Sequence, residues 1–192
     1  MRRVRVIVCA LAAILSAATA APARAENLVR WATPEPPLTW DPHGSDWAYS
    51  QTGYRHVYEG LTRLDPDLRL EPALSTSWKL VGPTTWRFEL HQGVRFHDGS
   101  PLTAEDVAFS LGRVIGEGSQ LRARAGSLER AVSVSPSTVD AHTTAPDLLL
   151  PVRLRNLFIM SRAWAEAHGI AAATPHAQDQ GTGLPPWEWR VR

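Results

Sequence analysis

The sequence predicts an α/β domain, a small mixed sheet with helices packed on its face. Three observations in one stretch carry that expectation. Trp86, Phe88 and Leu90 alternate with Arg87, Glu89 and His91, the period of a half-buried strand. Asp98-Gly99 and Ser100-Pro101 then break the chain, because glycine tolerates a positive φ and proline fixes φ near −65°. Thr103 follows as an N-cap, with Asp106 three residues on and Glu105 in the positive first turn. Ala104, Val107, Ala108, Leu111, Val114 and Ile115 lie on one helical face, and Gly116 stops the helix. Phe109 lies off that face, so it packs on a second neighbour or is partly exposed.

The remaining elements follow in chain order. Leu28 to Ala32 reads as a short apolar strand, ended by Pro34, Pro36 and Pro37. Gly44 to Thr52 is polar, with Trp47 and Tyr49 embedded in it. Tyr54, Val57, Tyr58 and Leu61 fall at helical spacing and predict a helix, followed by a turn over Arg63 to Asp67. Val81 to Thr85 is the turn of a hairpin joining Trp78-Lys79-Leu80 to the strand at Trp86. Val94 and Phe96 extend that strand's apolar face past Gly93. Glu117 to Arg130 is polar and rich in arginine, helix and loop together. Ala131–Val134 and Thr138–Thr143 read as strands around Ser135-Pro136-Ser137. Ser161 caps a last helix that Gly169 closes, and Ile170 to Gln180 is a loop. The expected core is Trp86, Phe88, Leu90, Phe96, Val107, Leu111 and Val114.

Composition narrows the class. The 192 residues suffice for one domain with a real core, and 44% hydrophobic with 20% charged side chains is an ordinary globular balance. Eight tryptophans are many for this length, and they serve cores and binding platforms alike. Residues 1–25 read as a secretory signal. Arg2, Arg3 and Arg5 form the positive start, Val6 to Ala20 the apolar run, and Ala23-Arg24-Ala25 the cleavage site; Ala18-Thr19-Ala20 is a second candidate cut. The run is too short to span a bilayer comfortably, which disfavours an uncleaved anchor. Cys9 lies early in the apolar run, out of place for lipid attachment, and leaves with the signal. The mature chain then has no thiol chemistry and no disulfide. It carries 16 basic against 19 acidic side chains, and no basic patch or aromatic-basic motif suggests nucleic acid.

The stretch Gly93, Phe96, Asp98-Gly99, Pro101-Leu102-Thr103-Ala104, Asp106-Val107 and Phe109-Ser110 closely resembles the signature of the family 5 extracellular solute-binding proteins. These are the periplasmic binding components of oligopeptide, dipeptide and nickel ABC transporters. Leu38-Thr39-Trp40-Asp41-Pro42, Tyr58-Glu59-Gly60-Leu61, Leu70-Glu71-Pro72-Ala73-Leu74 with Ser77-Trp78, and Gly181-Thr182-Gly183 resemble further family elements. Gly82-Pro83 and His91-Gln92 depart from it, as does Leu184-Pro185-Pro186-Trp187 after the last glycine. The signature residues themselves serve as turn and cap; they identify the family without having to touch a ligand.

The resemblance implies a two-lobed, class II-like periplasmic binding fold, of which this chain is the N-terminal part with an incomplete large lobe. It implies a signal peptide at 1–25, the first strand and loop of the large lobe at 26–45, a small subdomain at 46–170 and a return segment at 171–192. A proline-containing apolar helix is expected from Ala145 to Leu157, restricted or kinked by Pro151. The Gly181 to Pro186 ending reads as a frameshift or early stop, with Trp187, Trp189 and Val191 exposed, aggregation or disorder expected over residues 170–192, and ligand binding weak or absent. The implied role is the periplasmic, monomeric peptide-binding subunit of an importer, with a membrane permease and an ATPase as partners, no cofactor and no chemistry of its own. Nickel or another small solute is the alternative ligand within the family.

The loop after Asp41-Pro42 faces the ligand cleft in relatives. That makes Trp47, Tyr49, Ser50 and Gln51 the candidate ligand-binding residues, aromatics as apolar walls and polar side chains as hydrogen-bonding groups. The competing reading packs Trp47 and Tyr49 under the helix running to Leu61. Another class of function would be a metal-dependent hydrolase using His91 and His97 with His56 and Asp98, but their spacing matches no known ligand set. A docking module with exposed apolar area is a third.

Overall fold

The structure, a computed structural model, describes Ala32 and residues 34–173. The signal segment, the strand at Leu28–Ala32 but for its last residue, and the segment from 174 onward lie outside the described residues. The elements are α1 (Ala48–Tyr54), β1 (Thr62–Leu64), β2 (Leu70–Pro72), β3 (Ser75–Gly82), β4 (Thr85–Leu90), α2 (Ala104–Ile115), β5 (Leu128–Ser135), β6 (Thr138–Thr143), α3 (Leu150–Arg153) and α4 (Arg162–Ala167). Short 3-10 turns occupy Arg122–Ala125 and Leu154–Asn156. The α/β architecture is as expected, but among the described residues every strand pairing is antiparallel: a β1-β2 pair and a four-stranded sheet in the order β3-β4-β6-β5.

Register explains which face is buried. Phe88 lies opposite Trp78 on one side and Val139 on the other, and Trp86 opposite Leu80 and Ala141. Side chains of one parity therefore form a single apolar face, while Arg87 and Asp140 pair on the opposite face at 2.7 Å. Trp78 stacks on Phe88 at a centroid distance of 6.5 Å. α2 covers the apolar face with Val107, Leu111 and Val114, all fully buried. Its N-terminus is a capping box: the Thr103 hydroxyl accepts from the Asp106 amide while Asp106 Oδ2 accepts from the Thr103 amide at 2.9 Å. Asp106 Oδ1 also accepts from the Arg162 amide (2.8 Å), and the Ser110 hydroxyl accepts from the Met160 amide (3.0 Å). These bonds seat residues 158–162 against α2.

Several of these expectations need correction. The helix expected through Tyr54, Val57, Tyr58 and Leu61 is instead α1, ending at Tyr54. The spacing arises because the Val57 and Tyr58 amides both bond back to the Tyr54 carbonyl, one turn beyond the helix. The chain must then run extended, because a Cβ on Gly60 would lie 2.6 Å from the Leu154 carbonyl oxygen, so only glycine lets the backbones approach. Phe96 is half-buried rather than core, since β4 stops at Leu90 and residues 91–101 form a loop with Gly93 and Gly99 at φ +79° and +88°. The expected helix from Ala145 to Leu157 shrinks to α3 plus a 3-10 turn, with Pro151 in the first turn, where no amide is needed. The Arg-rich segment holds only the 3-10 turn, and β5 begins at Leu128, three residues before the expected Ala131. Trp86 stays partly buried, its indole N–H donating to the Asp147 carbonyl at 2.9 Å.

Candidate functional site

The loop carrying the candidate ligand residues is held by one buried guanidinium. Arg113, on the last turn of α2, has a side chain 1% exposed and meets Asp41 in a bidentate pair, Nη1 to Oδ1 at 2.7 Å and Nη2 to Oδ2 at 2.6 Å. Nη1 also donates to His43 Nδ1 (3.0 Å), Nη2 to the Ala172 carbonyl (2.8 Å) and Nε to the Ile170 carbonyl (3.1 Å). All five guanidinium N–H groups are thus used. Because His43 accepts at Nδ1, its proton sits on Nε2, which donates to the Phe158 carbonyl at 2.9 Å. A single side chain ties together α2, the loop at 41–43, the segment at 158 and the segment at 170–172.

The electrostatics follow from burial. Burial pushes the Asp41 carboxyl up, but the Arg113 hydrogen bonds and charge reverse this and hold it below the usual carboxylate range. Burial and the Arg113 charge push His43 down to about 4, so it is neutral at physiological pH. Its folded pKa lies below the unfolded one, so the unfolded chain takes up the proton first. Stability is therefore full above the ordinary histidine value and falls as pH drops toward 4, by roughly 3 kcal/mol from this group. Asp41 adds a further loss at lower pH. His43→Gln, whose amide can donate to Phe158 and accept from Arg113, should flatten thermal melting between pH 6.5 and 4; an unchanged acid profile in that variant would refute the assignment.

From Asp41 the order propagates to the candidate residues. Asp41 Oδ1 accepts from the His43 amide (2.9 Å) and Gly44 N–H bonds to the Asp41 carbonyl (3.1 Å). The Ser45 carbonyl accepts from Gln51 Nε2 (2.9 Å), and the Ser45 hydroxyl accepts from the Trp47 amide (3.2 Å) and donates to the Ser50 hydroxyl (3.3 Å). Ser50 also accepts from the Leu38 amide (3.0 Å). Ser50 and Gln51 are 0% and 5% exposed, turned inward, and Gln51 Oε1 is buried without a hydrogen-bond partner. Trp47, the N-cap of α1, is 47% exposed and tilts against Tyr49 at 6.1 Å. The structure thus splits the four residues: Trp47 is half-exposed and Tyr49 partly buried, while Ser50 and Gln51 are buried. Trp47 and Tyr49 do not pack under a helix leading to Leu61.

A cleft of about 370 Å³ opens elsewhere, between residues 57–59, the 94–98 loop and residues 159–164. Its walls are Val57, Leu74, Val94, Phe96, Leu102 and Trp164, with Glu59, His97 and Asp98 among its polar members. The Ser100 hydroxyl and amide hold the Asp98 carboxylate below its usual range, which is a turn function. None of the four sequence-derived candidates lines this cleft. Of the hydrolase candidates, His97 and Asp98 do and His91 does not. Among the described residues no three His, Cys, Asp or Glu side chains gather as a metal ion requires. The sequence reading missed Arg113 and His43; Arg113 lies off the apolar face of α2, and no local pattern marked it for a buried ion pair.

The profile for bacterial extracellular solute-binding proteins, family 5 (middle), matches residues 69–183. The chain belongs to this family. Among solved family 5-like structures, Haemophilus influenzae OppA, in complex with RPPGFSPFR, superposes at a TM-score of 0.65 and 20% identity, covering 71% of this chain and 31% of that one. Campylobacter jejuni NikZ, in complex with Ni(L-His), gives 0.59 and 23% over 69% and 27%. At these identities the likeness establishes the fold, a partial match to two-lobed binding proteins. In sequence, the HTH-type transcriptional regulator SgrR of Escherichia coli O6:K15:H31 is 33% identical over 121 residues, 62% of this chain and 21% of that protein. The chain therefore spans about a fifth of this curated relative and less than a third of the solved ones. Among the described residues, no helix is long and apolar enough to cross a membrane.

Proposed function

We propose that the chain acts in the periplasm as the substrate-binding component of an ABC importer for dipeptides or oligopeptides, delivering its solute to a membrane permease and ATPase. It works as a monomer that binds and performs no chemistry, without a cofactor, and its residues 1–25 direct export. The observation that carries the reading is the half-exposed Trp47, tilted against a partly buried Tyr49, on a loop locked by the Arg113–Asp41 pair. An aromatic surface on a loop already held by hydrogen bonds is suited to line one wall of a solute site, with little ordering cost on binding. Ser50 and Gln51 hold the same loop through their bonds to Leu38 and Ser45.

Peptide is favoured over nickel because the half-exposed Trp47 offers an apolar wall and the described residues gather no metal-ligand set. OppA crystallised with a peptide supports the same choice. The test is calorimetric titration of the chain with mixed di- to pentapeptides and, separately, with nickel: saturable peptide heat is expected, and heat only with nickel would overturn the peptide reading.

The identity to SgrR favours a second reading, a solute-sensing part of a regulator. The arginine-led, apolar start of the chain argues for export instead. N-terminal sequencing of protein recovered from an expressing bacterium decides: a mature start at Glu26 is expected, and a retained Met1 would favour the regulator reading.

A further inference from the structure

Arg113 divides its bonds between two stretches that are far from it in the chain. Asp41 lies 72 positions before it and Ala172 59 positions after it. Three bonds go to the loop at 41–43, two to the Asp41 carboxylate and one to His43 Nδ1. The other two go to the Ile170 and Ala172 carbonyls. The apolar contact of α2 with the sheet is made by different residues, Val107, Leu111 and Val114.

The later stretch has few other ties. The Ile170 amide bonds to the Ala165 carbonyl in α4 at 2.9 Å, and among the described residues Arg113 is the donor to the Ile170 and Ala172 carbonyls. Ala173 is nevertheless 7% exposed, so the stretch lies against the domain. The earlier stretch has two further bonds, from His43 Nε2 to the Phe158 carbonyl and from the Gln120 amide to the His43 carbonyl (3.0 Å). Residues 39 and 40 are held separately, the Thr39 carbonyl by the Tyr54 hydroxyl (3.0 Å) and the Trp40 carbonyl by the Tyr58 hydroxyl (2.8 Å). The part governed by Arg113 therefore begins at Asp41.

Lifting the later stretch would strand the Nε proton and one Nη2 proton of a guanidinium that is 1% exposed. A buried charged donor without an acceptor carries its full desolvation penalty. Turning the guanidinium out to water relieves that penalty, but it leaves the Asp41 carboxylate buried without its counter-charge. Releasing Asp41 first leaves the arginine in the same position. We propose that residues 41–44 and 170–173 form one latch around Arg113, opening and closing together while α2 and the sheet stay folded. The loop bearing Trp47 and Tyr49 follows the latch, because Ser45, next to Gly44, accepts from the Trp47 amide and from Gln51 Nε2. Arg113 is thus a positioning residue, and the aromatic wall is in order only while the later stretch is seated. The use of that wall rests on the solute-binding reading; the latch itself does not.

The test is native-state hydrogen exchange on the isotope-labelled chain, read amide by amide at rising, sub-denaturing denaturant and without any peptide. The His43, Gly44 and Ile170 amides should share one opening free energy and one denaturant slope, below those of Phe88 and Leu111. Ala173→Asp, which puts a charge at a buried position of the later stretch, should speed exchange at His43 and Gly44 as much as at Ile170. The expected factor is about 5- to 150-fold, the usual range of coupling between linked sites, with Phe88 and Leu111 unchanged and Trp47 following Gly44. Arg113→Lys, which keeps the charge but cannot reach all five partners, should give the same pattern from the pivot. Different opening free energies for Gly44 and Ile170 in the unaltered chain would overturn the latch. So would Ile170 speeding up alone, Phe88 and Leu111 speeding up equally with the rest, or no change in either variant. Because no ligand takes part, failure of peptide binding leaves these readings untouched.

Discussion

Arg113→Met should unfold the domain or bring it close to unfolding. The substitution keeps the length and apolar stem of the side chain but strands Asp41, whose side chain is only 9% exposed, without its partner. Breaking a buried pair by removing one member costs about 3–5 kcal/mol, because the remaining charge stays desolvated. Small domains are stable by only about 5–15 kcal/mol in total, so the loss is a large share. The Ile170 and Ala172 carbonyls and His43 lose their donor as well. Arg113→Met combined with Asp41→Leu should recover much of the stability, since two apolar groups leave no charge buried. Denaturant titration of the three variants checks this: an Arg113→Met midpoint equal to the parent's would mean the pair contributes nothing.

Phe88→Ala should cost about 3–5 kcal/mol and Leu111→Ala about 2–5 kcal/mol. Both side chains are fully buried and belong to the same apolar cluster, Phe88 from the sheet and Leu111 from α2. Phe88 sits between Trp78 and Val139 in the middle of the register, where neighbouring backbone cannot collapse into the space it leaves. Leu111 has helix on one side and sheet on the other. Thermal melting of each variant is the measurement, and an unchanged midpoint in either would contradict the packing of α2 on the sheet.

What could be read from the sequence follows from the range of the forces involved. Alternation at Trp86–Leu90 and the Thr103–Asp106 cap are local signals, and both elements appear where those signals lie. The hairpin turn at Pro83-Thr84 and the Ser161-capped helix are equally local. The failures come where distant backbone decides. Tyr54 to Leu61 has helical spacing, yet Gly60 must seat against Leu154 and Arg155, far away in the chain. Phe96 looks like a strand residue until Gly93 and Gly99 turn its loop away from the sheet. In the candidate site, composition could nominate Trp47 and Tyr49 but could not tell that Ser50 and Gln51 face inward, because their hydrogen-bond partners are Leu38 and Ser45 across a loop. The Arg113–Asp41 pair spans 72 positions, and no local pattern announces a contact at that separation.

The central claim is that this chain offers Trp47 and Tyr49 to a peptide and does nothing chemical to it. Isothermal titration of the chain with a mixture of di- to pentapeptides, run beside a Trp47→Ala/Tyr49→Ala variant and with the peptides assayed afterwards by mass spectrometry, tests it most directly. The account predicts saturable heat weaker than micromolar, since one wall leaves much of a peptide in water. It predicts loss of that heat in the double variant and intact peptides at the end. Peptide heat that survives the double variant, or cleaved peptides in the cell, would contradict it.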